Sequence, residues 1–341
     1  MSSTPQHVLH NGRYGLFERL GSGFFGEVWR ARDNLQGDEV AVKLLGRNVT
    51  LDAALLETQV LTRLRAHERV VTIRNVELAP PAPFIVMEYL PAGSVGDRLG
   101  MGTVTIVEAV RWTRETLDGL GHAHDMGVLH RDIKPDNLLL DQHDRAVLSD
   151  FGIAEDTVRQ LLAAPQAYIP HKAPELDVHG SSPQSDIWAT GCTLYRLLTG
   201  RYPFLSEAQA SQGKLTDPHR INPQIPLAVT RVVRKALAVS PGDRYPTAGA
   251  MLGALMEPDV RHAWTAVSDT DAIERWAAIT SDGVFTLRLF ERSKGGYEVA
   301  VTRDRGSGPR HVVRERIAGR GDAIRVRRNC LLQLVGTGTV A

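Results

Sequence analysis

The chain has 341 residues, 43% hydrophobic and 23% charged, proportions that exclude a mainly disordered, collagen-like or coiled-coil protein and suggest two domains at about 150 residues each. Its formal charge of +1 is an average: up to Asp259 there are 26 Lys and Arg against 30 Asp and Glu, and beyond it 14 against 9, so an acidic part of −4 precedes a basic part of +5. Two distant cysteines, Cys192 and Cys330, speak against a disulfide scaffold or a zinc module, and the lack of any run of about eighteen apolar residues, with a polar stretch from Met1 to His10, predicts a soluble, cytoplasmic chain with no membrane partner.

The first strand-length segments are Tyr14 to Leu20, Glu27 to Arg32, Glu39 to Leu44, Val70 to Val76 and Phe84 to Tyr89, several rich in β-branched or aromatic residues. Between the third and fourth, Leu55, Leu56, Val60, Leu61 and Leu64 recur at helical spacing, which predicts a helix over Leu51 to Leu64. Pro91, Gly93 and Gly96 punctuate a change to helices over Ile106 to His124, Ser185 to Leu198, Leu227 to Ala238 and Thr247 to Met256. A small β-rich lobe thus precedes a larger helical one. After Pro258, Val284 to Phe290 and Tyr297 to Thr302 alternate in polarity around Gly295 and Gly296, the pattern of a hairpin. Val312 to Ile317 and Ala323 to Arg327 read as further strands. The predicted domains are residues 12–257 and a basic, β-rich domain over 260–341.

Gly21-Ser-Gly-Phe-Phe-Gly-Glu-Val28 contains GxGxxGxV. A dinucleotide site needs a strand before these glycines and a helix after them, but both flanks read as strands, and no Gly-Lys-Ser/Thr follows to make a P-loop. The glycines suit a hairpin flap whose backbone approaches phosphates without side-chain obstruction. Lys43, one of only 6 lysines among 40 basic residues, sits in the apolar strand Val40-Ala-Val-Lys43, and Glu57 on the following helix could orient it through a charge-assisted contact.

Downstream stand His130-Arg-Asp-Ile-Lys-Pro-Asp-Asn137, Asp150-Phe-Gly152 and Ala173-Pro-Glu175. In this order, after GxGxxGxV and VAVK, they form the full protein-kinase signature, and from about Tyr14 to Met256 the chain resembles the protein Ser/Thr kinase family of the bacterial eukaryotic-like kind. The resemblance implies an α+β, bilobal protein-kinase-like fold and an enzyme using ATP and Mg2+, with Mn2+ as an alternative, on protein substrates. It implies that Asp132 accepts the substrate hydroxyl proton, that Lys134 neutralises the transferring phosphoryl group, and that Asn137 and Asp150 hold metal. Lys43, oriented by Glu57, would grip the phosphates beneath Gly21, Gly23 and Gly26. Met87 would back the adenine pocket, the backbone of Glu88 and Leu90 would bond adenine, Leu20, Val28, Ala41 and Leu139 would sandwich it, and Ser94 would lie near the ribose. Asp136 is expected to be structural, Ser185-Asp-Ile-Trp188 to start the central helix of the large lobe, and Arg244 to pair with Glu175. Lys134 favours Ser/Thr over Tyr specificity; Arg131 and the APE element separate the chain from small-molecule phosphotransferases.

The segment between Asp150 and Glu175 departs from the family pattern. The threonine of Gly-Thr-x-x-Tyr-x-Ala-Pro-Glu is missing, two or three residues within Pro170 to Lys172 read as inserted after Tyr168, and the only hydroxyls from Phe151 to Lys172 belong to Thr157 and Tyr168. Either Thr157 is phosphorylated, or Glu155 and Asp156 contact Arg131 and the segment is constitutively ordered. In the second domain nine arginines from Arg303 to Arg328 face only Asp304, Glu315 and Asp322, a charge excess that suits a solvated face, an acidic partner or nucleic acid. Two rival readings accompany the active kinase: a pseudokinase scaffold, and a nucleic-acid-binding module regulated by the kinase.

Overall fold

The computed structural model describes residues 7–9, 11–23, 26–46, 64, 67–77, 83–101, 104–151, 170–222, 224–256, 265–267, 271–280 and 283–336. Strands β1 (His7–Leu9), β2 (Tyr14–Gly23), β3 (Gly26–Asp33), β4 (Glu39–Leu45), β5 (Ile73–Glu77) and β6 (Phe84–Glu88) form an antiparallel sheet in the order β1-β2-β3-β4-β6-β5. Side chains alternate between its faces. Val40, Val42, Phe84 and Val86 join Tyr14, Leu16 and Trp29 on one face, while Ala41, Ile85 and Met87 join the core shared with the helical lobe. Period two therefore turns Lys43, two residues after Ala41, toward the helices. Of the predicted helix Leu51 to Leu64, only the fully buried Leu64 lies within the described residues.

Helices α1 (Val95–Met101) and α2 (Ile106–Asp125) open the second lobe. Thr105 and Glu108 close a reciprocal capping box at the start of α2, satisfying amides that the first turn leaves without helical partners. Ile106, Ala109, Val110, Thr113, Leu117 and Leu120 bury one side of this helix, each of the larger apolar side chains worth about 1.5–3 kcal/mol relative to exposure. A two-stranded ribbon, β7 (Leu138–Leu140) with β8 (Ala146–Leu148), follows. Then come α3 (Leu176–His179), α4 (Pro183–Thr199), α5 (Glu207–Ser211), α6 (Pro218–Ile221), α7 (Leu227–Ala236) and α8 (Ala248–Met256). Ser182 caps α4, Gly200 ends it in the left-handed conformation, and Gly191 lets it approach α7, since a Cβ there would stand 2.9 Å from that of Ala236.

Beyond residue 264, β9 (Thr265–Val267), β10 (Glu274–Thr280), β11 (Gly283–Glu291), β12 (Tyr297–Asp304) and β13 (Pro309–Ile317) form an antiparallel sheet in sequential order. The expected hairpin turns at Gly295 and Gly296, both at positive φ. One prediction fails here. Ala323 to Arg327 is not a strand but part of helix α9 (Arg320–Gly336), whose Ala323, Val326 and Cys330 lie on Phe285, Leu287, Leu289, Val299 and Val301. The segment Ala-Ile-Arg-Val-Arg alternates when read alone; the helical intervals of three and four emerge only when Cys330 is included. Among the described residues, no helix is long and apolar enough to cross a membrane.

Candidate active site

The turn from α2 into β7 carries His130 to Asn137 and is fixed from below by one side chain of α4. The Asp186 carboxylate, 1% exposed, accepts the amide protons of His130 (2.9 Å) and Arg131 (2.8 Å), and lies 2.9 Å from His124 Nε2. Arg131 has φ +69°, a left-handed conformation costing about 1–3 kcal/mol in a non-glycine residue; the two bonds to Asp186 offset that strain and set the direction of the next residue. Asp132 then meets Lys134 Nζ at Oδ2 (2.6 Å). Asn137, in a 3-10 turn over Pro135–Asn137, donates through Nδ2 to the Asp132 carbonyl and to the same Oδ2, both at 2.8 Å. Among the described residues Oδ1 of Asp132 makes no bond, and the side chain is 22% exposed. One carboxylate oxygen is thus clamped while the other is available to take a proton.

Asp150 follows β8 with φ +53° and receives Lys43 Nζ at Oδ1 (3.1 Å). Burial pushes its pKa up, but the charge and hydrogen bond of Lys43 outweigh that and hold the carboxyl below its ordinary range. Ser149 ties the two ends of the ribbon together, its amide and its hydroxyl both donating to the Asn137 carbonyl at 3.0 and 3.1 Å. Phe151 is buried against the His130 ring, with centroids 4.4 Å apart, and burial pushes the His130 pKa down, keeping the imidazole neutral. The oxygens of Asp150 and Asn137 are hard donors. Among the described residues no three His, Cys, Asp or Glu side chains gather around a metal position; one carboxylate and one amide oxygen suit Mg2+ arriving with phosphates rather than caged by protein.

The residues expected around a nucleotide lie on or beside β2, β3, β4, β6 and β7. Gly26 (φ +135°) cannot carry a side chain, since a Cβ would stand 1.9 Å from the Leu44 carbonyl oxygen, whereas Gly21 faces open space. Gly23 ends β2. Leu20 is the extra residue of a bulge between Arg19 and Gly21, an irregularity that re-aims a side chain. Val28 lies opposite Lys43 across the β3–β4 pair, and Ala41 opposite Met87 across β4–β6. The Glu88 amide donates to the Thr72 carbonyl (3.0 Å), while the Leu90 amide makes no bond among the described residues. Leu139, half-buried on β7, forms an isolated bridge with Ser94. The Ser94 hydroxyl is engaged by Asp97 in the first turn of α1. Asp136 packs against Gly96 of that helix. Glu57 and Gly152 lie outside the described residues.

Residues 14–255 match the family described as protein kinase domain. The chain belongs to the protein kinase family. Relatives of this kinase include CBL-interacting protein kinase 16 of rice, 32% identical over 249 residues (68% of this chain, 54% of the relative). Serine/threonine-protein kinase Pkn1 of Myxococcus xanthus is 31% identical over 277 residues (74% and 39%), and serine/threonine-protein kinase PrkC of Bacillus subtilis 31% identical over 279 (75% and 41%). The chain spans from about two fifths to just over half the length of these relatives.

Behind the kinase site, the expected pair of Arg244 and Glu175 forms a buried two-pronged contact at 2.6 and 2.7 Å, with the guanidinium over Trp188. In the adjoining segment, His171 is buried edge-on against Tyr202, and Lys172 pairs with Asp177 at 2.5 Å. Thr157, Tyr168, Glu155 and Asp156 lie outside the described residues. Sequence reading gave Asp186 only a place at the start of a helix and missed its hold on the His130 and Arg131 amides. The available signal was an acid in the first turn of a helix whose residues are mostly buried, where a buried carboxylate requires hydrogen-bond partners.

Proposed function

We propose that this kinase transfers the γ-phosphoryl group of ATP to Ser and Thr hydroxyls of proteins, itself included, with Asp132, Lys134, Lys43 and Asn137 in the roles that their geometry supports. The observation that carries the reading is the Asp132 carboxylate, with Oδ2 held by Lys134 and Asn137 and Oδ1 left to a substrate hydroxyl. Asp132 accepts the hydroxyl proton as the oxygen attacks phosphorus and the bond to the leaving diphosphate breaks. Lys134, 2.6 Å from that carboxylate, is placed to neutralise charge on the transferring group, a process that depends on positioning and electrostatics more than on covalent chemistry. Lys43 holds the remaining phosphates, with Glu57 proposed as its orienting partner. Asn137 and Asp150 would hold Mg2+ or Mn2+, which when bound supplies positive charge to the phosphate oxygens. The hinge at Met87, Glu88 and Leu90, with Leu20, Val28, Ala41 and Leu139, supports an adenine slot, and the hairpin of Gly21, Gly23 and Gly26 a cover. Ser94 would serve the ribose from the first turn of α1.

Ser/Thr preference is supported by Lys134, two residues after Asp132. A reducing compartment suits the two buried free thiols, Cys192 and Cys330, and cytoplasmic ATP suits the chemistry. The test is transfer of label from γ-labelled ATP to a generic basic protein in Mg2+ or Mn2+, followed by phosphoamino-acid analysis. Phosphoserine and phosphothreonine are expected; phosphotyrosine as the main product, or no incorporation with either metal, would overturn the reading.

A further inference from the structure

The C-terminal sheet has two different faces. Its apolar face is covered by α9; the register places Arg275, Arg288, Ala300 and Arg314 in one row across the other, and Phe290, Glu298 and Arg316 in the next. Glu298 is the centre of this second face. Its side chain is only 4% exposed, with Arg314 Nε at 2.7 Å, Arg316 Nε at 3.6 Å and Arg292 Nε at 4.0 Å from the carboxylate. Three guanidiniums on one carboxylate leave a local charge of 3 − 1 = +2. Each reaches Glu298 through Nε, and the terminal nitrogens of Arg292, Arg314 and Arg316 make no bond among the described residues.

Arg275 stands directly opposite Arg288, and like charges opposed across a strand pair repel. Strand β13 is a sheet edge among the described residues, and charge there discourages pairing with other chains, but that purpose needs no buried carboxylate beneath the arginines. A carboxylate that holds three flexible side chains by their inner nitrogens restrains them before binding, lowering the entropy lost when their outer nitrogens grip an anion. A phosphate monoester matches: it is compact, close to doubly charged at neutral pH, and offers oxygens to forked donors. Nucleic acid fits less well, because Phe290 is the one aromatic side chain in these two rows and single strands bind through successive stacking platforms.

We propose that this face binds phosphorylated segments of proteins, with the phosphoryl group seated between Arg292, Arg314 and Arg316 and Arg288 beside them. The inference rests on the Ser/Thr kinase reading, which supplies such groups. The test uses the full chain and fluorescence anisotropy with a labelled, otherwise uncharged peptide carrying one phosphothreonine, its unphosphorylated twin, and a single-stranded oligonucleotide. The phosphopeptide is expected to bind at least about tenfold more tightly than its twin. Asp132→Asn is expected to bind it as the wild type does, so a catalytic failure leaves this readout intact. The double variant Arg314→Gln, Arg316→Gln should abolish the preference while phosphorylating a short peptide substrate at the wild-type rate. Arg314→Lys with Arg316→Lys keeps charge and fold but removes the fork, and should lose most of the preference. Equal affinity for the twin peptides, full affinity in either double variant, or tighter binding of the oligonucleotide than of the phosphopeptide would overturn the proposal.

Discussion

The loop that carries Asp132 and the arginine face of the C-terminal sheet both concentrate charge, yet they hold it differently. Around Asp132 each charged group is held by short, directed contacts: Asp186 beneath the loop, Asn137 and Lys134 on one oxygen, Lys43 on Asp150. On the sheet, one buried carboxylate restrains arginines whose outer ends are half or more exposed at Arg314 and Arg316. Transition-state chemistry needs atoms fixed in place and so fixes residue types at fixed spacings; an anion-binding face needs charge and reach, which many sequences supply.

The largest contrast is expected in catalysis. Lys43→Met should lower phosphoryl transfer by about 10²–10³, the scale of losing one preorganised electrostatic contact, whereas changes at Arg314 should leave transfer to a short peptide unaltered; initial-rate measurements on the two variants check both. Stability should show the next largest difference. Arg244→Met leaves Glu175 buried without its partner and should cost about 3–5 kcal/mol, but Arg314→Met, at a half-exposed pair, should cost about 1 kcal/mol or less, as read by denaturant unfolding.

Acid should separate the regions more gently. Burial, with the nearby positive charges of Lys134 and Arg196, depresses the His171 pKa to about 3, and burial depresses that of His130. The unfolded chain therefore binds protons that the folded one refuses, so the contribution of these groups is complete above the ordinary histidine pKa of about 6.5 and falls with pH by up to about 1.4 kcal/mol per unit for each histidine. In the sheet, the hydrogen bond from Arg314 holds the Glu298 carboxyl below its usual range, so its contribution is present above the ordinary pKa of about 4.3 and is lost only as pH falls through the folded value. Urea midpoints measured from pH 7 to 4 should show His171→Phe flattening the decline from near pH 6.5. Glu298→Gln should lower stability by a constant amount from pH 7 to about 5, with the gap to wild type narrowing only as pH approaches about 4; a gap that already changes between pH 7 and 6 would break this comparison.

The difference also explains what was legible in sequence. The strands from Tyr14 to Glu88 and the long helices were readable because alternation and helical spacing persist over their lengths, and Glu175 with Arg244 was readable through its motifs. Asp186 was not, because its partners are backbone amides more than fifty residues away in sequence, and no side-chain pattern encodes them. Helix α9 was misread at Ala323 to Arg327 because five residues with alternating charge fit either period, and only packing against Leu287 and Val301 decides between them. The arginines from Arg303 to Arg328 were visible as charge, but Glu298, which organises three guanidiniums, looked like one polar position of a strand.

The most direct test of the central claim measures ATP binding and phosphoryl transfer on the same preparations of wild type and Asp132→Asn. The exchange leaves the contacts of Lys43 and the hinge in place and removes the proton-accepting carboxylate, so nucleotide affinity should remain within about threefold while transfer falls by about 10²–10⁴. Equal transfer by the two proteins would contradict the assignment of Asp132 as the base.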